Sequence, residues 1–174
     1  VYDLYANTWH MMNAKNEPPE RNTFGFACDP VGRKFVSFGS QNGSDPKTWI
    51  YDRRNNQWTA HDLKPHPPEV RNGAVMAYDP LNKVMLCVAM TWKDGIDPED
   101  KKPTKLADML ETWAFDPAAL AWKDLGAKVP APGTSVRGTL LLFDPDLNVF
   151  VLENRTSKEQ QEWIYRYADY TPPK

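Results

Sequence analysis

Thr48-Trp49-Ile50-Tyr51-Asp52 returns as Glu111-Thr112-Trp113-Ala114-Phe115-Asp116, again as Glu162-Trp163-Ile164-Tyr165, and in shortened form as Val1-Tyr2-Asp3. A second tryptophan follows the first three occurrences at a short distance, as Trp9, Trp58 and Trp122. An Asp-Pro pair then punctuates each unit, at Asp29-Pro30, Asp79-Pro80 and Asp144-Pro145. The spacing is 49 or 50 residues between the first and second units, 64 to 66 between the second and third, and 50 from Trp113 to Trp163. One unit therefore carries an insertion of about 15 residues, and the others keep the period.

Self-similarity at this period marks stacked supersecondary units, as in propeller blades or solenoids. Around Asp79-Pro80-Leu81-Asn82 lie two runs rich in β-branched and apolar residues, 70–79 and 83–89. Asp first and Pro second is type I turn chemistry, so the pair reads as a tight hairpin. Residues 112–116 make a third strand, and 122–125 a fourth after a short loop. No window shows helical periodicity of comparable strength; Asp108 to Glu111 could close one helical turn at most. Four short antiparallel strands per unit predict an all-β propeller rather than a solenoid. The repeated tryptophans are then packing residues that fill the wedge between neighbouring sheets.

The composition agrees with a globular β protein: 174 residues, 41% hydrophobic, 12% aromatic and 25% charged, with 16 prolines and 7 tryptophans. A formal charge of −2 leaves no electrostatic footprint for nucleic acid. The longest nearly apolar stretch, 84–92, is far shorter than the roughly 20 residues a helix needs to cross a bilayer, and no basic run seeks an anionic membrane surface. No signal peptide is visible; an extracellular or periplasmic setting is favoured over the cytoplasm, with the compartment left open. Cys28 and Cys87 fall on different strands of different units, so two small thiols are expected rather than a disulfide.

Trp49-Ile50-Tyr51-Asp52, then Asn56-Gln57-Trp58, then Pro67-Pro68, then Arg71 before a small-residue strand, resembles the kelch motif. Pro18, Pro19, Arg21 and Phe38-Gly39 carry the same pattern in the preceding unit. The resemblance covers nearly the whole chain, although the paired glycines that usually end the second strand stand here as Gly39-Ser40, Ala89-Met90 and Glu153-Asn154. It implies a β-propeller of kelch-type four-stranded antiparallel blades. The chain divides into a partial blade (1–12), a blade (21–63), a blade (71–125) with an insertion at 93–111, and a partial blade (137–167). About three blades make a partial ring, because closed propellers have about four to eight. The missing remainder would come from a longer polypeptide or from a partner chain.

Strand parity puts the Asp-Pro hairpins on one end of each unit and every long connection on the other. Variable loops on a fixed scaffold are the usual home of binding. Arg21, Arg71 and Arg137 recur there, each just before the first strand of its unit, with Asn22, Asn72 and His66 beside them. In kelch propellers such arginines line the central mouth and bind acidic ligands, which the resemblance implies for these three. Guanidinium forks suit carboxylate, sulfate or phosphate. The competing reading is structural, with each arginine paired to an acid of the adjacent blade. The insertion reads as a solvated loop over the mouth; its acids do not follow EF-hand spacing, and calcium at Asp94, Asp97 and Asp100 is a minor alternative.

Little in the sequence suggests catalysis. His10 and His61 fall on the outermost strand, His66 stands alone, and no nucleophile elbow, phosphate loop or close ligand pair occurs. No metal or cofactor is expected. The acceptor sequences Asn42-Gly43-Ser44 and Asn154-Arg155-Thr156 are as frequent as chance allows. The expected function is a non-catalytic interaction module whose loop-rich face binds a protein or polyanionic ligand. The alternatives are the propeller portion of a secreted carbohydrate-active enzyme or oxidase with its catalyst elsewhere, and a structural subunit of a larger assembly.

Overall fold

The computed structural model describes residues 2–39, 45–68, 73–96, 99, 101–131, 139–155 and 160–168. These residues contain no helix, and their strands form four antiparallel sheets. A small hairpin pairs β1 (Tyr2–Asp3) with β2 (Thr8–Trp9). Sheet I holds β3 (Gly25–Asp29), β4 (Lys34–Phe38), β5 (Thr48–Asp52) and β6 (Gln57–His61), side by side in chain order. Sheet II repeats that order with β7 (Ala74–Asp79), β8 (Val84–Ile96), β9 (Pro103–Asp116) and β10 (Ala121–Pro130). Sheet III has β11 (Leu140–Asp144), β12 (Val149–Arg155) and β13 (Gln160–Tyr165).

The hairpin turns are built alike. At Asp3, Asp29, Asp79, Asp116 and Asp144 the carboxylate Oδ1 accepts hydrogen bonds from the backbone N–H groups two and three residues on. At Asp52 it accepts from Arg54 N–H. Four residues after each of these six aspartates the backbone turns left-handed, at Asn7, Arg33, Asn56, Lys83, Leu120 and Asn148. The Asp-Pro pair is thus the opening of a longer turn whose last position asks for a positive φ. Asparagine tolerates that conformation, and a bulky side chain resists it. Lys83→Gly, on an exposed side chain at φ 57°, is therefore expected to raise stability by about 0.5–1 kcal/mol, measured by urea unfolding.

Alternation within the strands gives each sheet two apolar faces, and the sheets stack on them. Ala27, Val36, Phe38 and Ile50 of sheet I form one buried cluster with Met76, Met85, Cys87, Phe115 and Trp122 of sheet II. Leu86, Val88, Met90 and Leu110 on the far side of sheet II cluster with Leu141, Phe150 and Leu152 of sheet III, against which Phe143, Trp163 and Tyr165 also pack. In each case a mainly aliphatic face meets a face carrying the repeated aromatics. Trp122 is the keystone of the first interface: its ring lies 5.0 Å from Phe38 and 4.8 Å from Phe115. Its indole N–H donates across the sheets to Thr48 Oγ1 at 2.8 Å. The first strands of neighbouring sheets also meet, β3 beside β7 and β7 beside β11. They run side by side from the same end, since Ala74 N–H donates to the Thr23 carbonyl. The approach is close enough that a Cβ on Gly25 would stand 2.5 Å from Met76 Cγ.

A polar seam joins the other end of that interface. Tyr78 of sheet II bonds Asp29 of sheet I, and its hydroxyl is pushed up to about 12, first by burial and then by that carboxylate. The folded value lies above the ordinary one of about 10, so the contribution is whole below about pH 10 and lost as pH rises through about 12. Tyr78→Phe should flatten the alkaline limb of the stability curve in that window, read from thermal melts across pH.

Two expectations about the insertion are corrected. Residues 93–111 are largely strand rather than loop, because β8 and β9 go on pairing from Trp92↔Ala107 to Ile96↔Pro103. Asp108 to Glu111 lies inside β9 and forms no helical turn. The pairing survives a bulge at Thr91, whose hydroxyl both donates to the Met109 carbonyl and accepts from its N–H, each at 3.1 Å. Lys93 and Asp108 close an exposed cross-strand ion pair at 2.7 Å. The result is a β-arm rising from the end of sheet II opposite its Asp turns. Cys28 and Cys87 are free thiols on β3 and β8, the first exposed and the second buried.

Candidate functional site

Of the six residues singled out from the sequence, Arg71, Asn72 and Arg137 lie outside the described residues. Arg21, Asn22 and His66 lie inside them, on the connections that lead into β3 and β7, at the end remote from the Asp turns. Asn22 is exposed.

Arg21 is held on every side of its guanidinium. Nη2 meets Asp45 Oδ2 at 2.7 Å, with the two side chains only 5% and 12% exposed. Nη1 donates to the Gly39 carbonyl at 3.3 Å, and Nε to the Pro19 carbonyl at 3.3 Å. The guanidinium carbon lies 5.8 Å from the centre of the Trp49 ring, and the Trp49 indole donates to the same Asp45 oxygen at 2.6 Å. The aspartate comes from the connection between β4 and β5 of the same sheet, not from a neighbouring one. An Arg-Asp-Trp group thus ties the entry of β3 to the start of β5. With both side chains largely buried, such a pair is costly to open.

His66 packs its ring 6.0 Å from Phe38, and Nδ1 lies 2.6 Å from the Pro67 carbonyl. It sits against the top of the first inter-sheet cluster. Sequence reasoning missed Asp45 and the inequality of the three repeated tryptophans. Trp49 has its acceptor, whereas the buried indole N–H groups of Trp113 and Trp163 have no partner among the described residues. Asp45 stands four residues before Trp49, where the next unit has Met109 before Trp113, so the repeat carries no signal for it.

The chemistry of the remaining polar groups is restrained. Among the described residues no three His, Cys, Asp or Glu side chains gather closely enough to hold a metal ion. Burial pushes the Cys87 thiol up, and burial followed by the Asp29 charge does the same to Cys28, so neither is an activated thiolate. Asn154, within one of the two acceptor sequences, is buried and accepts a hydrogen bond from the Thr139 hydroxyl at 2.9 Å, which makes it a packing residue. No helix among the described residues is long and apolar enough to cross a membrane.

No protein-family model matches the chain, and no curated protein matches it significantly.

Proposed function

We propose that the three sheets are blades of a kelch-type propeller and that the chain is a non-catalytic interaction module, binding a protein at the end remote from the Asp turns. The asymmetry of the two ends carries this reading. At one end every hairpin is closed by the same Asp-led turn, which leaves nothing variable to recognise. At the other end lie the connections of unequal length and the β8–β9 arm, a large departure from the repeat. The blade assignment is supported by chain-order sheets whose first strands sit side by side and whose faces bury repeated aromatics. The full ring then includes blades beyond these three.

The geometry at Arg21 favours a protein over a free anion as ligand. Its guanidinium already has internal acceptors, so it serves as a strut that shapes the binding end rather than as a receptor for carboxylate or phosphate. The test compares the two ends by photo-crosslinking. A crosslinking amino acid placed at Lys93 or His66 should capture one defined partner from cells expressing the chain, while the same group at Leu81 or Leu147 should not. Equal capture from both ends, or capture from the Asp-turn end alone, contradicts the reading.

A further inference from the structure

The Asp-led turns are uniform in backbone, and those of sheet I also carry a cluster of arginines. Pro30 and Arg33 of the β3–β4 turn and Arg53 and Arg54 of the β5–β6 turn line one open pocket of about 430 Å³. Arg53 N–H donates to the Arg33 carbonyl at 3.5 Å, which ties the two turns into one frame. All four residues lie beyond the strand ends, so the pocket is built at the end of the sheet and uses neither of the faces on which other sheets stack. Three like charges around one pocket repel each other. Among the described residues no carboxylate forms an ion pair with Arg33, Arg53 or Arg54, all of which are exposed. The acids of the same turns are engaged within them. Asp29 Oδ1 accepts from the Val31 and Gly32 N–H groups, and Asp52 accepts from the Arg54 N–H through Oδ1 and from the Asn55 side chain through Oδ2. Nor does the repeat require these arginines. The same positions hold Lys83, Pro117 and Ala118 in the next unit, and Asn148, Leu4 and Tyr5 in the others. A contact that every sheet needs would recur in every sheet, whereas uncompensated charge confined to one points to a ligand.

We propose that this pocket binds a phosphate group, either free or as the monoester of a small molecule. Near pH 7 a phosphate monoester carries about −1.5 to −2 charges and presents three strong acceptor oxygens. Guanidinium forks grip such oxygens in pairs, so three arginines can share one phosphate. A lone carboxylate would occupy one fork and leave the other two charges unmatched. The pocket volume falls within the range of about 300–1,000 Å³ common to small-ligand sites, which leaves room for the organic part of an ester. The inference rests on sheet I alone, and on neither the blade reading nor the binding end at the opposite side.

Isothermal titration calorimetry at constant ionic strength tests it with inorganic phosphate and O-phosphoserine, against acetate and serine as controls. At least one of the two phosphates should bind, at a single site, and the controls should not. Arg53→Gln and Arg54→Gln should each weaken that binding about tenfold. Arg33→Asn should do the same, and it places there the residue that the turns at Asn7, Asn56 and Asn148 already carry in the left-handed conformation. Because all three arginines are exposed, the unfolding midpoints of these variants should not fall, so that lost binding is not lost fold. Lys123→Gln, which removes an exposed cation from β10, should bind as the unaltered chain does. Tighter binding of O-phosphoserine identifies an esterified phosphate as the occupant, and tighter binding of inorganic phosphate identifies the free anion. An unaltered chain that binds neither, arginine variants that bind as before, or an equal loss in Lys123→Gln overturns the proposal.

Discussion

Phe38→Ala is expected to cost about 3–5 kcal/mol. Phe38 is fully buried, at the centre of the interface between sheets I and II, with the Trp122 ring 5.0 Å away and His66 above it. Two rigid sheets cannot close on the missing ring, so most of its volume would remain as a void. Domains of this size have a total stability of about 5–15 kcal/mol, so the variant should lose a large share of its native state near body temperature. Urea unfolding followed by tryptophan fluorescence reads the effect directly. A cost below about 1 kcal/mol would mean that the two sheets do not pack as described.

Arg21→Ala should follow at about 3–5 kcal/mol, because it strands the Asp45 carboxylate in a site only 12% exposed. The Trp49 indole would remain as its nearest donor, which is too weak a partner for a buried charge. Replacing both members, as Arg21→Met with Asp45→Leu, removes the stranded charge and should recover most of the loss. The pair of measurements separates strut from receptor. If Arg21→Ala leaves the unfolding midpoint unchanged, the guanidinium is free to meet a ligand and its assignment as a strut is wrong.

Much of the architecture was legible from the sequence because its signals are local. The Asp-Pro pairs marked the hairpins between apolar runs, and the spacing of Trp49, Trp113 and Trp163 gave the period. What escaped the sequence reading depended on pairing over distance or on offsets between opposing costs. The left-handed residues at Arg33, Lys83 and Leu120 carry no composition cue; the strain is offset by the aspartate that organises each turn. The sequence of the β8–β9 arm reads as a loop because prolines and charges fill it. Yet Trp92 to Ile96 pairs with Pro103 to Ala107 in unbroken register, and Lys93 reaches diagonally across the strands to Asp108. The structural alternative for Arg21 pairs it with an acid of the adjacent unit, since a repeated residue suggests a repeated contact. Its partner comes instead from a connection 24 residues on, where nothing periodic could point to it.

The sheets stack aliphatic face on aromatic face, with Trp122 as the seam between the first two. Nuclear Overhauser contacts from the Trp122 indole proton to the Thr48 methyl, and from the Trp122 ring to the Phe38 ring, test it most directly. Both contacts should be strong in the folded chain, together with contacts from Leu86 or Val88 methyls to Phe150. Their absence, while contacts within sheets I and II persist in the register Phe35↔Tyr51 and Met85↔Phe115, would show that the sheets form but do not stack in this way.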